Sequence, residues 1–271
     1  MNKIFDDLIE LNYDCPRKER EYILPGLRAG QVGLLCAPGG TGKSFLALEL
    51  AFAVAAGNCL IDKITIKKSG PVRFIQFEDD RLEIFDRGNS IGRAMRAASK
   101  NLPEISDLYL SSAAGESFPL LNSGGVPVEE NIAALSEACE GMRLVILDPL
   151  SHLHYANEND SSQMTMLVKI LKRVAQDRQC GVLVVHHTNK AATLSGQGDI
   201  QQAARGSSAL VDAARLVMNL AKHPKQEGWL QLTWSKMNGH APIDPIDLVR
   251  GKEGVLEGPY GERDNSRGRI G

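Results

Sequence analysis

The stretch QVGLLCAPGGTGKS, residues 31–44, decides the fold of this chain. Its apolar run Val32–Cys36 predicts a buried strand, and the glycine-rich segment after it predicts a tight loop. A long apolar pattern over residues 45–56 predicts a helix directly after that loop. A strand, a glycine loop, a Lys-Ser pair and a helix, in this order, form the arrangement that holds the phosphates of a nucleoside triphosphate.

The residues of this loop have predicted parts in binding phosphate and magnesium. Glycines lack a Cβ, so the backbone can coil tightly and point its N–H groups at an anion, and the positive end of the following helix adds to that field. Lys43 would reach the β and γ phosphates, and the Ser44 hydroxyl would complete the coordination of Mg²⁺. Position 37 is Ala where the full consensus has Gly, and a glycine-rich turn without a ligand is the alternative interpretation. The predicted ATP-binding residues are Pro38, Gly39, Gly40, Thr41, Gly42, Lys43 and Ser44.

Composition narrows the class of protein. A chain of 271 residues with 43% hydrophobic and 24% charged residues is typical of a globular protein with one large α/β domain, or a domain and a half. A net charge of −2 excludes a broadly basic DNA-coating protein, but it allows a few cations to line one channel. Five cysteines without CxxC spacing predict reduced, buried core residues, and the acidic N-terminus does not resemble a signal peptide. We therefore expect a cytoplasmic protein without a membrane span.

Alternating strands and helices predict an α/β fold: a mostly parallel sheet with helices on both faces. From Leu216 onward, short strands with tight turns predict an antiparallel C-terminal edge. The expected organisation is an N-terminal helix and connector (1–30), an ATPase domain (31–250), and a C-terminal turn and mobile tail (251–271). The predicted strands after the first are 72–77, 107–112, 144–148, 181–185, 216–220, 229–234 and 246–249, and the predicted later helices are about 81–99, 128–139 and 161–179.

Two acidic groups follow predicted strands, where ligands of open α/β sheets bind. Asp148 closes a run of four apolar residues, the Walker B pattern, and would hold Mg²⁺ directly or through water; a helix-capping Asp is the alternative. Glu78 closes the 72–77 strand and would orient or deprotonate the attacking water. Asp79 and Asp80 follow it, so three carboxylates compete for this role, and a solvated turn is the alternative.

A histidine pair, His186-His187, closes the 181–185 strand. One imidazole near the γ-phosphate could report whether that phosphate is present and pass the change to the next loop. A metal site with His152 and His154 as further ligands is a competing interpretation, although no cysteine or carboxylate spacing favours it. The third interpretation is that the histidine pair has a purely structural role.

The polar, glycine-containing segment 188–204 follows this pair, and loops of such length are usually functional. It ends at Arg205, shortly before a predicted helix start capped by Ser207. Lys190 is its only cation before Arg205. A loop that begins beside a phosphate-sensing histidine would move with nucleotide state.

The strings APGGTGKS, FIQFEDD, LVILDPL, VVHHTNK and AARGSSALVDAAR, in this order and spacing, resemble the RepA-type hexameric replicative helicases of broad-host-range plasmids, which belong to the RecA/DnaB-like P-loop ATPases. The resemblance runs from about Tyr22 to Gly239. It implies a RecA-like core with Lys43 and Ser44 as the phosphate and magnesium residues, Glu78 as the catalytic carboxylate, and Asp148 as the Walker B acid.

The resemblance also implies how the γ-phosphate is sensed and how subunits cooperate. His187, which falls where related ATPases carry Gln, would be the γ-phosphate sensor. Arg205 is the best candidate for an arginine finger that reaches a neighbouring subunit's nucleotide, and a salt bridge that closes the loop is the alternative. Lys236, a further predicted ATP-binding residue, matches the first member of a Lys-x-Arg pair of DnaB-like proteins. The second position of that pair is Asn238 here, so Arg215 could substitute.

The implied function is an ATP-dependent, ring-forming DNA helicase that translocates on single-stranded DNA. Six copies would bind ATP at their interfaces, with DNA contacted by the loops 149–160 and 188–204, where Tyr155 is the one aromatic residue. A primase or an origin-binding protein would be a separate partner. The alternatives are a RecA-like DNA-dependent ATPase that acts as a loading or mediator factor without unwinding, and a nucleotide-switched regulatory protein.

Overall fold

The computed structural model describes residues 13–16, 19–158, 160–188, 208–251 and 253–258. Within these residues, one sheet of nine strands carries the fold. The strands are β1 (Gln31–Pro38), β2 (Val72–Gln76), β3 (Leu108–Ser112), β4 (Leu144–Asp148), β5 (Gly181–Thr188), β6 (Leu216–Lys222), β7 (Trp229–Met237), β8 (Ile246–Arg250) and β9 (Leu256–Glu257). The helices are α1 (Lys43–Ala56), α2 (Arg81–Ala97), α3 (Glu129–Ala138), α4 (Ser161–Arg178) and α5 (Ser208–Ala213), with 3₁₀ turns at Ile105–Asp107 and Leu150–Leu153.

The strand order is β3-β2-β4-β5-β1-β6-β7-β8-β9, and the six strands from β3 to β6 in that order run parallel. Because the strands are parallel, their carboxyl ends share one edge of the sheet. The register aligns Gln76 of β2 with Asp148 of β4, and Ala37 of β1 with His187 of β5. The sheet therefore collects the ends of four strands around the loop that follows β1.

Helices cover both faces of the sheet, as predicted. Side chains of α1 and α2 pack in one apolar core, which includes Leu35 and Val185, and side chains of α3, α4 and α5 pack in a second core with Leu34 and Val184. Neighbouring strand residues thus point to opposite cores, since side chains alternate along a strand. The continuous apolar runs of the central strands follow from this burial on two sides.

The fold class matches the prediction, with one correction at the edge. β6 was expected to open the antiparallel part, but it pairs parallel with β1 and antiparallel with β7. The antiparallel edge therefore consists of β7, β8 and β9 added to β6. A short strand bounded by tight turns has the same local sequence pattern whether it pairs parallel or antiparallel with its neighbour. The sequence pattern therefore could not predict the direction of pairing.

Segments flanking the predicted ATPase domain also contribute to the core. Ile23, Leu24 and Leu27, in the expected polar connector, are at most 2% exposed, and Leu256 is fully buried. The prediction of buried cysteines holds for four of the five and is wrong for Cys15, which is exposed. Among the described helices, none is both long enough and apolar enough to cross a membrane.

Candidate active site

The loop after β1 is a tight turn that leads directly into α1, as the glycine-rich sequence predicted. Gly42, the residue before α1, has φ +93°, which favours glycine, and the Thr41 hydroxyl donates to the Pro38 carbonyl at 2.7 Å. Ala37 lies inside β1 in a ladder pair with His187, so this position does not need the freedom of glycine. The N-terminus of α1 points its free N–H groups toward the loop, which favours an anion there.

Asp148 ends β4 in a fully buried position beside this loop. Burial raises the pKa of its carboxyl to about 6, although the Ser44 hydroxyl and the Lys43 ammonium both favour the ionised form. Its Oδ2 accepts a hydrogen bond from Gln76 at 3.2 Å, whereas Oδ1 is buried and has no hydrogen-bond partner in the described part of the chain. A carboxylate oxygen without a partner beside a serine hydroxyl fits a hard cation such as Mg²⁺.

The three carboxylates after β2 have different surroundings. Asp80 accepts a hydrogen bond from the Glu83 N–H at 2.9 Å and caps α2. Asp79 is held by the Arg87 guanidinium at 2.7 Å and by the Gln76 amide at 2.8 Å. Glu78 is partly exposed, and its Oε1 lies 3.6 Å from the Nε2 atom of His187. Asp79 and Asp80 thus have structural partners, which leaves Glu78 as the carboxylate available at this strand end.

His187 lies between Glu78 and the phosphate-binding loop. Desolvation and the nearby Lys43 charge lower the pKa of His187, while Glu78 raises it in part. The Nε2 atom of His187 is buried and has no hydrogen-bond partner among the described residues. The lowered pKa favours the neutral imidazole, which can donate or accept one hydrogen bond, as a sensor of a phosphate oxygen requires.

The other histidines do not form the alternative metal site within the described residues, where no group of three or more candidate ligands is arranged for a metal. His152 stacks on Phe77 with ring centroids 5.7 Å apart, and His154 Nδ1 lies 3.1 Å from the Ala156 carbonyl oxygen. Burial lowers the pKa of His186. These contacts indicate structural roles for His152 and His154.

The fold brings one cation next to the loop after β1 that the sequence analysis missed. The Arg250 guanidinium, at the end of β8, lies so close to Gly42 that a Cβ there would meet Arg250 Nη2 at 2.5 Å. In the described residues Arg250 has no hydrogen bond or ion pair with a carboxylate, and its charge only partly offsets the rise that burial causes in the pKa of Glu49. A cation close to the first residues of α1, at the positive end of the helix dipole, is well placed to contact an anion that binds there. No local sequence signal connects residues 42 and 250.

The predicted trans-acting cations lie away from this site or outside the described residues. Lys236 pairs with Val217 near the start of β6, and its ammonium donates to the Val211 and Asp212 carbonyls at 3.0 and 2.6 Å. It therefore caps α5 instead of approaching the phosphate-binding loop of its own chain. Arg215 lies at the same end of β6, next to Lys236. Arg205 and Lys190 lie outside the described residues, as does the predicted cap Ser207.

Comparison with known proteins finds a matching family and similar solved structures. A family model described as an AAA domain matches residues 3–193. A solved structure described as the ATPase domain of G40P has 15% identity and a TM-score of 0.60, and the alignment covers 86% of each chain. A second, described as a DnaB-like replicative helicase and its interactions with primase, has the same identity and TM-score over 85% of this chain and 57% of that one.

At 15% identity, the solved structures show a shared fold and no more. The present chain spans little more than half of the DnaB-like helicase that it matches. The family model is stronger evidence of relationship, because it covers most of the sequence. The matched residues include β1, the phosphate-binding loop and the ends of β2, β4 and β5. The chain belongs to the AAA domain family and has the fold of a RecA-like P-loop ATPase.

Proposed function

We propose that this protein is an ATP-dependent DNA helicase of the RepA type, which acts as a homo-oligomeric ring, with six copies, on single-stranded DNA. The observation that carries the proposal is the meeting of four strand ends. Lys43, Glu78, Asp148 and His187 come from four separate segments of the chain, and the parallel sheet brings them to one edge. These are the groups that a phosphoryl-transfer site needs to hold, position and sense a triphosphate.

The phosphate-binding loop would hold the β and γ phosphates of ATP. Lys43 is 6% exposed, so its charge lies in a poorly solvated environment, where its attraction to phosphate is stronger than in water. Ser44 and Asp148 would hold Mg²⁺, and the ion would neutralise charge that develops on the phosphate oxygens. The orphaned Oδ1 of Asp148 supports this assignment.

Glu78 would act on the attacking water. It is the carboxylate at the end of β2 that neither Arg87 nor the N-terminus of α2 engages. Its neighbour His187 would bind the γ-phosphate and, after hydrolysis, lose that contact. Since His187 is the next-to-last residue of β5, the change would reach the segment that begins at residue 189.

Transition-state stabilisation would need a second copy of the chain. Arg205 is the proposed finger, with Arg215 and Lys236 as alternatives. Arg215 precedes the start of β6, and Lys236 lies beside it on β7. The phosphate-binding loop follows the opposite end of the neighbouring strand β1, so these two cations could reach only the nucleotide of a neighbouring copy. A finger of this kind contributes roughly 10³–10⁵ in turnover, so an isolated subunit should hydrolyse ATP slowly.

Single-stranded DNA would contact the loops 149–160 and 188–204. Tyr155 is 59% exposed, and its hydroxyl donates to the Ser117 hydroxyl at 2.5 Å, which fixes an aromatic ring at the surface. Such a ring can stack on a base in a sequence-tolerant way. Phosphate contacts would come from Lys190 and backbone N–H groups, and a separate primase or origin-binding protein would complete the replication machinery.

Strand displacement on forked DNA with ATP and Mg²⁺ tests the proposal, with Lys43→Ala and Arg205→Ala beside the wild type. We expect DNA-stimulated hydrolysis and unwinding in the wild type and neither in Lys43→Ala. Partial recovery of ATPase activity on mixing the two variants would show that the finger acts between subunits. DNA-stimulated hydrolysis without strand separation would instead favour a loading or mediator ATPase, and absence of hydrolysis would refute both.

A further inference from the structure

Gln76 is the last residue of β2 and is 1% exposed. Its side-chain amide makes four hydrogen bonds. Nε2 donates to Asp79 Oδ2 at 2.8 Å and to Asp148 Oδ2 at 3.2 Å, while Oε1 accepts from the N–H groups of Phe77 at 2.9 Å and Glu78 at 3.2 Å. The two bonds that it accepts fix the amide orientation, because a backbone N–H needs an oxygen opposite it.

We propose that Gln76 is a positioning residue that orients the magnesium-binding carboxylate and the water-activating carboxylate together. This inference rests on the ATPase activity proposed above and adds a residue to it. Gln76 contacts neither phosphate nor metal in this assignment. It acts through Asp148 on one side and through the backbone of Glu78 on the other.

The hydrogen bond that Gln76 donates determines which oxygen of Asp148 can bind a cation. Its Nε2 atom occupies Oδ2, so the buried Oδ1, which has no partner among the described residues, is left to face a cation near Ser44. The same nitrogen lies between two carboxylates, Asp79 and Asp148. Its two N–H groups screen charges that would otherwise repel each other across a poorly solvated space.

On the acceptor side, Gln76 holds the turn that follows β2. One oxygen binds two successive N–H groups, so the chain leaves the strand at a fixed angle and carries Glu78 toward His187. The Phe77 N–H is also shared with the Asp148 carbonyl at 2.9 Å, which ties the same turn to the end of β4. A shift at Gln76 would therefore move both carboxylates.

Few side chains can replace this amide. A leucine of similar size removes all four hydrogen bonds. A glutamate keeps the shape and the accepting oxygen but cannot donate to both Asp79 and Asp148. Comparing the two substitutions distinguishes the effect of losing the hydrogen bonds that orient the carboxylates from the effect of altered packing.

The test compares Gln76→Leu and Gln76→Glu with the wild type and with Gln231→Leu. Gln231 is a matched control, since its amide donates to a carboxylate, Asp247, at 2.9 Å in the antiparallel edge. The measurements are kcat and KM for ATP, the Mg²⁺ concentration needed for tight binding of a fluorescent ATP analogue, binding of that analogue in EDTA, and thermal unfolding.

We expect Gln76→Leu to lower kcat about 10- to 100-fold and to raise the required Mg²⁺ concentration about tenfold, the usual cost of losing an outer partner of a metal ligand. Analogue binding in EDTA should change less than about threefold, because the phosphate-binding loop is intact. Gln76→Glu should remain folded and still lose about tenfold or more in kcat.

Three results would overturn the inference. The first is a kcat of Gln76→Glu equal to that of the wild type. The second is a kcat and a Mg²⁺ requirement of Gln76→Leu equal to those of Gln231→Leu. The third is a parallel loss of EDTA binding and thermal stability in Gln76→Leu, with Gln76→Glu normal, which would indicate a packing role. If the wild type hydrolyses no ATP, the proposed function fails, while the Mg²⁺ dependence of analogue binding still tests Gln76.

Discussion

Replacing Asp148 with asparagine should make the nucleotide-free protein more stable at neutral pH, although under the proposed function it removes a ligand of Mg²⁺. The carboxyl is fully buried, and its pKa rises from 3.8 to about 6 on folding. An acid whose pKa is raised by folding costs stability when it is ionised. The cost is absent below pH 3.8, grows as the pH rises to the folded-state value, and is constant above it.

The size of this cost follows from the two pKa values. A rise from 3.8 to about 6 corresponds to a cost of about 3 kcal/mol at pH 8 and to about half of that at pH 5. Asparagine should regain only part of it, because its N–H₂ group would replace the buried Oδ1 and needs an acceptor such as the Ser44 hydroxyl. We therefore expect a gain of about 1–3 kcal/mol in the free energy of unfolding at pH 8.

Urea unfolding at pH 5 and pH 8, without nucleotide or metal, measures this gain. Asp247→Asn is the control, since Asp247 also accepts from a glutamine amide but is 37% exposed in its side chain. The control should change by less than about 0.5 kcal/mol. If Asp148→Asn is less stable than the wild type at pH 8, or if its effect is the same at both pH values, then burial of this charge is not costly and the reasoning fails.

Two further substitutions test contacts between distant parts of the chain. Arg250→Ala should weaken binding of a fluorescent ATP analogue about tenfold, because a charge-assisted contact to phosphate is lost, whereas the exposed Arg173→Ala should not; equal affinities would remove Arg250 from the site. Glu49→Gln should become increasingly more stable than the wild type as pH rises, because burial holds the pKa of Glu49 well above its usual range and Gln still accepts from the Leu256 N–H. Thermal unfolding from pH 5 to pH 9 measures this trend, and a difference independent of pH would contradict it.

The sequence predicted the parts of the site that depend on local pattern. The phosphate-binding loop needs glycine at Gly42 and a Lys-Ser pair at the start of a helix, and these signals lie within a few residues of one another. Asp148 and His187 follow continuous apolar runs, so their positions at strand ends could be inferred without knowing which strands are neighbours. The boundaries of α1, α2, α3 and α4 were predicted to within two residues for the same reason.

Where several arrangements share one local pattern, the sequence left the choice open or predicted it wrongly. The pattern of β6 is that of a short edge strand, and its parallel pairing with β1 depends on a partner about 180 residues earlier in the chain, a separation that local periodicity does not encode. Likewise Glu78, Asp79 and Asp80 are equivalent by position. Arg87 and Gln76 engage Asp79, and the N-terminus of α2 engages Asp80, so their surroundings separate them.

By itself, then, the sequence determined that a triphosphate-binding loop opens a parallel α/β sheet, because backbone freedom and apolar periodicity are properties of short segments. The tertiary structure decided which groups surround that loop. Gln76 meets Asp148 across 72 residues, Glu49 meets Leu256 across 207, and Arg250 at the end of β8 meets Gly42 before α1. Such contacts are fixed by strand order and register, which form only when both cores pack.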